Sequence, residues 1–348
     1  MDVRLSADQR ALREAAARLV DDHAPASVAD LDDTTRAARL EAALVRSGWR
    51  ELRVPDDGGD RPPASAVETA IVAEELGRGL ADTSFLGPTL ATELRRRAAA
   101  GPATAHETVL LRSDLSGIVV VEDADMLCSG IAIDVRGATS ALALVRTGHG
   151  YDLVSVLVTD GPRGHDLTRP TGTVERAPFE VLRDAGRPLT TEDIEAWSAF
   201  ALALTCADLV GTMRGAVEMA RSYAGVRHQY GVAIGTFQSV HHMLADAFVS
   251  IEGSSSVARH AAWAADTLPA GEALAAAATA KAYCARAARE VCETSIQVHG
   301  GIGMTWECLA HIHLRRALLS SQVLGDVGAN LARIAAHRKI GGGHDGLR

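Results

Sequence analysis

The sequence predicts a mainly α-helical chain with a small β domain in its middle. Helical periodicity fills the first part of the chain and returns near Thr191, whereas the stretch between them holds short β-branched and leucine runs separated by glycine, aspartate and threonine. The 348 residues, 47% of them hydrophobic, are enough to bury the cores of two or three subregions. We expect an N-terminal helical domain at 1–106, a β domain at 107–188, a C-terminal helical domain at 189–340 and a loose tail at 341–348.

Four helices are predicted before the β domain. Ser6 and Gln9 have the spacing of a capping box, so the first helix is expected over Ser6–Asp22. Glycine, proline and aspartate in 48–59 predict a turn-rich connection. The other three helices are predicted over Thr34–Ser47, Ser65–Leu80 and Leu86–Ala99.

Strands and then long helices follow. Strands are predicted over Ile118–Val121, Ala141–Val145 and Leu153–Val158. Beyond Thr191, five apolar residues spaced three or four apart predict one stripe of a helix: Phe237, Val240, Leu244, Phe248 and Ile251. Gly211 and Gly215 are four apart on the first of these helices, which predicts close contact with another helix rather than a phosphate loop.

Composition excludes several classes of function. With 35 basic and 44 acidic residues, the net charge of −9 argues against a general binder of nucleic acid or anionic membranes. The five cysteines are scattered and include no Cys-x-x-Cys pair, which indicates reduced cytoplasmic thiols rather than disulfides or a zinc site. We expect no signal peptide in the first eleven residues, and the longest apolar run, near 199–207, is about half the length of a membrane-spanning helix.

The first group of residues that indicates a chemistry is Arg227-His228-Gln229-Tyr230-Gly231, followed by Phe237-Gln238. Arg227 and Gln238 are eleven residues apart, with a glycine turn between two helices, and could present a guanidinium and an amide to one phosphorylated ligand. The alternative is a helix-end arginine that satisfies only carbonyl oxygens. Spacing alone leaves both interpretations open.

The second group is Gln297-Val298-His299-Gly300-Gly301, continued by Ile302 to Glu307. Glycines between the end of one helix and the start of the next allow close backbone approach to a diphosphate. Without further context, a tight left-handed turn with no ligand is the more common explanation of such glycines. The ring of His299 has no assigned role.

In this order and at this separation, the two groups resemble the acyl-CoA dehydrogenase family of flavoenzymes. Three further segments are similar to that family: the glycine-rich loop 48–59, the Glu-Glu-Leu-Gly helix at Ala73–Arg78, and Arg315-Arg316-Ala317, which stands for the family's Arg-Asp-Ala. The resemblance implies an N-terminal helical domain, a middle β domain and a C-terminal four-helix bundle that forms tetramers.

The resemblance also implies a cofactor site shared between subunits. In that family the matching residues bind the ADP half of an FAD whose isoalloxazine ring lies in a neighbouring subunit. Carried over, they are Arg227, Gln229, Tyr230, Gln238, Gln297, Val298, Gly300 and Gly301.

The catalytic base of the family is missing. Its members remove an α-proton from an acyl thioester with a carboxylate at one of two positions, which are Leu324 and Ala201 in this chain. Leu202 stands where many members keep an arginine near the substrate. Asp326, two residues beyond Leu324, is the remaining candidate for a relocated base, and Asp208 is expected to be a helix cap or a hydrogen-bonding residue of the bundle.

The middle domain departs from the family too. It spans only about 80 residues, and the Thr-Glu-x-x-x-Gly-Ser and Gly-x-Lys segments that help hold a subunit's own flavin have no counterpart. Residues that act on a neighbour's flavin are thus kept, and those for this chain's own flavin and substrate are lost. The pattern resembles the base-lacking subunit of actinobacterial heterotetrameric (α2β2) acyl-CoA dehydrogenases of steroid side-chain degradation, which would pass electrons to an electron-transfer flavoprotein.

Two alternatives stay open. The chain could be a self-sufficient homotetrameric dehydrogenase that uses Asp326 as its base, or a helical scaffold that binds no flavin. No metal site is expected, because His311 and His313 are two apart and point to different sides of a helix. The adjacent pair His241-His242 suits a structural or interface role.

Overall fold

The N-terminal part of the chain is helical and packs against the C-terminal helices. A computed structural model describes residues 4–55, 62–103, 106–122, 127–159 and 164–340. The first four helices are α1 (Ala7–His23), α2 (Thr34–Ser47), α3 (Ala66–Arg78) and α4 (Leu86–Arg97). The capping box at Ser6 and Gln9 is present, as predicted. Residues 56–59 of the predicted 48–59 loop and the predicted tail at 341–348 lie outside the described residues.

Among the described residues, six strands form the middle sheet. They are β1 (Glu107–Leu111), β2 (Val120–Glu122), β3 (Leu127–Ala132), β4 (Ser140–Thr147), β5 (Gly150–Leu157) and β6 (Gly172–Val181). The strand order is β1-β3-β6-β5-β4-β2, and β1 also pairs with β4, so five strands close into a ring around their own apolar core. The prediction over Ile118–Val121 is wrong in its first half: parallel pairing with β4 starts at Val120, and Ile118 makes only an isolated bridge with Leu111.

Within residues 164–340 the C-terminal part has five α-helices: α5 (Thr191–Val226), α6 (Gln238–Thr267), α7 (Ala270–His299), α8 (Ala310–Gln322) and α9 (Val327–His337). A small hairpin, β7 (His228–Gln229) and β8 (Val232–Ala233), connects α5 to α6. By length and apolar composition α5 could cross a membrane, and it is the one such helix among the described residues. It is mostly buried between α3, α6, α7 and α8, which is the place of a core helix. The predicted mainly α-helical fold with a small β domain is confirmed.

Two glycines let α5 approach α3, as their spacing predicts. A Cβ on Gly211 would lie 1.8 Å from the carbonyl oxygen of Glu74, and one on Gly215 would lie 2.0 Å from that of Arg78. Such distances exclude any side chain unless the backbones separate. The Glu-Glu-Leu-Gly segment of α3 is therefore in direct backbone contact with the bundle.

The predicted apolar stripe of α6 is only partly buried. Ile251 is buried, whereas Phe248 leaves 57% of its surface exposed although it follows the same helical spacing. Helical spacing identifies a shared face, but it does not tell how far the neighbouring helices cover that face. His241 and His242 are exposed in the first turn of α6.

Candidate functional site

The two groups of residues singled out in the sequence meet at one end of the bundle. α5 ends at Val226, the hairpin leads into α6, and α7 ends at His299 beside them. One small apolar cluster joins these segments: Ala220, Ala224, Ile234, Val240, Met243, Leu244 and Val298. Arg227 and the Gln297–Gly301 turn therefore belong to a single surface, which we call the half-site.

Four polar side chains of the half-site are exposed: Arg227, Gln229, Gln238 and Gln297. None of them forms a side-chain hydrogen bond or an ion pair with the part of the chain that the structure describes. The backbone amide of Arg227 donates to the carbonyl oxygen of Tyr223 at 2.9 Å, but its guanidinium contacts no helix-end carbonyl. The helix-end alternative for Arg227 is therefore not what the structure shows.

Tyr230 lies at the tip of the hairpin. Tyr230 and Gly231 have φ angles of 53° and 82°, and this two-residue turn has the left-handed geometry that matches the twist of a hairpin. Asparagine, aspartate or glycine is usual at the first of these positions, because a larger side chain there is strained. Tyr230 is also 94% exposed and contacts Phe237 edge-on, with 6.2 Å between ring centroids. A strained and exposed aromatic ring indicates a residue that contacts something outside the chain.

The glycine turn opens on free space. Gly300 has φ 66° and ψ −144°, a conformation that is restricted to glycine, and a Cβ added to Gly300 or Gly301 would meet nothing within 4 Å. The side chain of Val298 is buried in the cluster, so only its backbone can face a ligand. A guanidinium, three amides and an open glycine turn are groups that fit the diphosphate and nucleoside of an ADP moiety.

Both positions at which the resembling family carries its base are buried and apolar. Leu324 is 2% exposed, and Ala201 and Leu202 are fully buried. Leu324 and Gly325 both have positive φ angles, 64° and 96°, which makes a sharp corner after α8. No group at either position can take a proton.

A buried lysine holds this corner. Lys281 of α7 donates from Nζ to the carbonyl oxygens of Ser321, Val323 and Gly325 at 2.9, 2.7 and 3.1 Å. Burial lowers the pKa of Lys281 to about 8. The ammonium thus satisfies the last carbonyls of α8 and fixes the corner that carries Leu324.

Asp326 caps a helix. Its Oδ1 accepts from the backbone amide of Ala329 at 2.8 Å, and its side chain is exposed at the N-terminus of α9. This is the geometry of an N-cap, in which the carboxylate satisfies an unpaired helix amide. The sequence does not distinguish that role from a relocated base.

Asp208 is the centre of a buried ionic cluster and not a helix cap. It accepts from the guanidinium of Arg316 at 2.6 and 3.0 Å and from Ser320 at 2.7 Å, and Arg169 lies 3.4 Å away. Arg169 also contacts Asp166 at 3.2 Å. The β domain, α5 and α8 are thereby joined at one point.

This junction leaves almost no empty space. The cavity beside the cluster, lined by Phe85, Leu86, Asp134 and the ionic side chains, measures about 10 Å³. Small-molecule sites usually need several hundred Å³. The three parts of the chain therefore meet around ion pairs and not around a pocket.

Comparison with known proteins identifies the family. The acyl-CoA dehydrogenase N-terminal domain matches residues 6–97 and the acyl-CoA dehydrogenase C-terminal domain matches residues 200–338. The acyl-CoA dehydrogenase IpdE2 of Mycobacterium tuberculosis is 31% identical over 321 residues, covering 91% of this chain and 93% of that protein. The chain belongs to the acyl-CoA dehydrogenase family. Its enzyme class is therefore that of the flavin-dependent oxidoreductases, as the two sequence motifs predict.

Solved acyl-CoA dehydrogenases share the fold. The ChsE4-ChsE5 complex of Mycobacterium tuberculosis superposes with a TM-score of 0.77 at 20% identity, covering 97% of this chain and 99% of that one. A variant of the Tcur3481-Tcur3483 steroid acyl-CoA dehydrogenase gives 0.76 at 20% identity, with coverages of 97% and 99%. At such identities the likeness concerns the fold.

Several residues that shape this acyl-CoA dehydrogenase were missed in the sequence. Lys281 carries a signal, because it is one of only two lysines and lies in an alanine-rich helix. No signal in the sequence indicates the role of Arg169, because its partners Asp208 and Ser320 are distant in sequence. His313 of α8 is buried, which lowers its pKa to about 3. No cluster suited to a metal ion occurs among the residues described.

Proposed function

We propose that this chain is the base-lacking subunit of a heterotetrameric (α2β2) acyl-CoA dehydrogenase that desaturates an acyl-CoA thioester between its α and β carbons. The half-site binds the ADP part of an FAD whose flavin ring lies in a related catalytic subunit. That partner supplies the carboxylate and most of the acyl-CoA site. The substrate is a bulky steroid side-chain CoA ester, the electron acceptor is an electron-transfer flavoprotein, and the complex acts in the cytoplasm.

One contrast carries the proposal. The four polar side chains that would hold a neighbour's cofactor are present, exposed and without partners in the described chain, whereas both base positions are buried and apolar. If this subunit had merely lost its activity, we would expect the cofactor-holding residues to be lost along with the catalytic base. The nearly filled junction around Asp208 supports the same conclusion, because the place where the β domain meets α5 and α8 offers no space for a flavin ring.

The half-site has a defined chemical task. Bound FAD supplies the acceptor for the hydride that leaves the β-carbon of the substrate. Arg227 would pair with diphosphate oxygens through its planar fork of donors, and the open turn at Gly300 would let the backbone approach the same group. This chain therefore binds and orients the cofactor, and proton abstraction belongs to the partner.

Exposed apolar side chains beside the half-site support a partner. They are Val226, Val232, Ile302, Met304 and Trp306. Exposed aromatic and methionine residues are typical of the buried centre of a protein interface. The solved neighbours support the choice of partner and substrate, because one is a complex of two named proteins and another is described as a steroid acyl-CoA dehydrogenase.

Replacing Asp326 by asparagine tests the self-sufficient alternative. Asparagine is an equally good N-cap, so the α9 terminus is kept while the carboxylate is lost. We expect turnover of the complex on acyl-CoA to stay within about twofold of the parent, because a surface cap takes no part in catalysis. Asp326→Ala is the control for the cap alone and should cost roughly 1 kcal/mol of stability. Loss of turnover by orders of magnitude in Asp326→Asn would establish Asp326 as the base and refute the proposal.

A further inference from the structure

The ring of His299 lies between the two groups of the half-site. It is 6% exposed and stacks on Tyr223, with 4.6 Å between ring centroids and 27° between ring planes. Its Nδ1 lies 2.7 Å from the carbonyl oxygen of Ser295, one helical turn back in α7. A carbonyl can only accept, so Nδ1 carries the proton and the ring orientation is fixed.

Each of the two stacked rings belongs to a residue that lies next to, or one helical turn from, a ligand-binding segment. His299 immediately precedes Gly300, the first residue of the open turn. Tyr223 lies one turn before Arg227 on α5, and its carbonyl oxygen accepts from the Arg227 amide at 2.9 Å. A displacement of either ring would therefore move the glycine turn relative to the start of the hairpin.

We propose that His299 is a positioning residue for FAD: its stack on Tyr223 holds the Gly300-Gly301 turn at the correct distance from Arg227. The inference rests on the proposed function, since it takes the half-site as the place where the ADP part binds. Binding a diphosphate between two segments needs both of them in place beforehand, because ordering them on binding weakens affinity. His299 acts only through its neighbours and touches no reacting atom.

A double-mutant cycle on FAD affinity tests the inference in the assembled complex. His299→Ala and Tyr223→Leu should each raise the dissociation constant of FAD about 10-fold, and the double variant should raise it about as much as either single variant, because all three lose the same stack. His299→Phe keeps an aromatic ring and should restore affinity to within about threefold. This rescue distinguishes ring stacking from a general loss of packing.

Phe200→Leu is the matched control. That aromatic ring is equally buried but lies near the other end of α5, far from the half-site, so its loss should lower the melting temperature and leave FAD affinity unchanged. The inference is overturned if His299→Ala leaves FAD affinity within twofold, if the two single effects multiply, or if His299→Phe is as weak as His299→Ala. Arg227→Ala distinguishes failure of this inference from failure of the proposed function. If Arg227→Ala weakens FAD binding and His299→Ala does not, only the inference about His299 is refuted. If Arg227→Ala binds FAD normally, the proposed function is refuted. If His299→Ala does not fold, two variants of Tyr223 take its place. Tyr223→Leu removes the stacked ring and should weaken FAD binding, whereas Tyr223→Phe keeps the ring and should retain it.

Discussion

Arg227→Ala in the assembled complex is expected to weaken FAD binding by about 10- to 100-fold. A charge-assisted, two-pronged pair with a phosphate contributes roughly 1.5–3 kcal/mol, and no other guanidinium belongs to the motif. Because Arg227 has no partner among the described residues, its removal breaks no contact of the free subunit. The measurement is a titration of the flavin-free complex with FAD, followed by flavin fluorescence.

Two variants control this experiment. Arg227→Lys keeps the charge but not the fork, so its affinity should lie between those of the parent and of Arg227→Ala. Arg286 is an exposed arginine of α7 whose ion-pair partner is Glu290, and Arg286→Ala should bind FAD like the parent. Unchanged flavin content in Arg227→Ala would favour the scaffold alternative, in which this chain binds no flavin.

Asp208→Ala is expected to destabilise the chain by about 3–5 kcal/mol, which is among the largest effects of any single substitution. The substitution leaves Arg169 and Arg316 buried with one anion fewer. The cost is that of uncompensated buried charge and exceeds the value of the ion pair itself. Thermal or denaturant unfolding of the complex measures this loss of stability. The control Glu290→Ala removes a surface ion pair and should change stability by less than about 0.5 kcal/mol, as is typical of an exposed pair. An effect of that small size for Asp208→Ala would contradict the role of the cluster.

The buried carboxylate of Asp208 also predicts how the stability of the fold changes with pH. Burial raises the pKa of Asp208, but Arg169, Arg316 and the Ser320 hydroxyl outweigh it, so the pKa lies below its usual value. A carboxylate whose folded pKa is depressed stabilises the fold fully above the unfolded pKa of about 4, and this stability is lost as the pH falls through the folded pKa. The difference in stability between the parent and Asp208→Ala should therefore be constant near neutral pH and shrink in acid.

Local signals in the sequence predicted the four N-terminal helices. The capping box at Ser6 fixed the start of α1, and both ends of α2 at Thr34 and Ser47 agree with the prediction, because caps and helical spacing act within a few residues. The approach of α3 to α5 was also visible, since close helix contact demands small residues at Gly211 and Gly215. Motif spacing likewise singled out two segments that the structure brings to one end of the bundle.

Long-range pairings could not be read from the sequence. Asp208 and Arg316 are separated by 108 residues, and neither spacing nor helical period links them. The pairing of β1 with β4 and the stack of His299 on Tyr223 likewise join residues that are far apart in the sequence. The exposure of Phe248 depends on which helices cover α6, and a single helix does not specify that.

The central claim is that FAD is held between this chain and a catalytic partner, with none belonging to this chain alone. The most direct measurement is the amount of FAD per protein chain, determined by absorbance after denaturation, for the chain purified by itself and for the complex with a related subunit that carries a carboxylate at a base position. We expect no stoichiometric FAD in the chain alone and about one FAD per heterodimer in the complex, because the half-site of this chain is completed only by the flavin-ring site of the partner. Stoichiometric FAD and turnover in the chain alone, or two FAD per heterodimer, would contradict it.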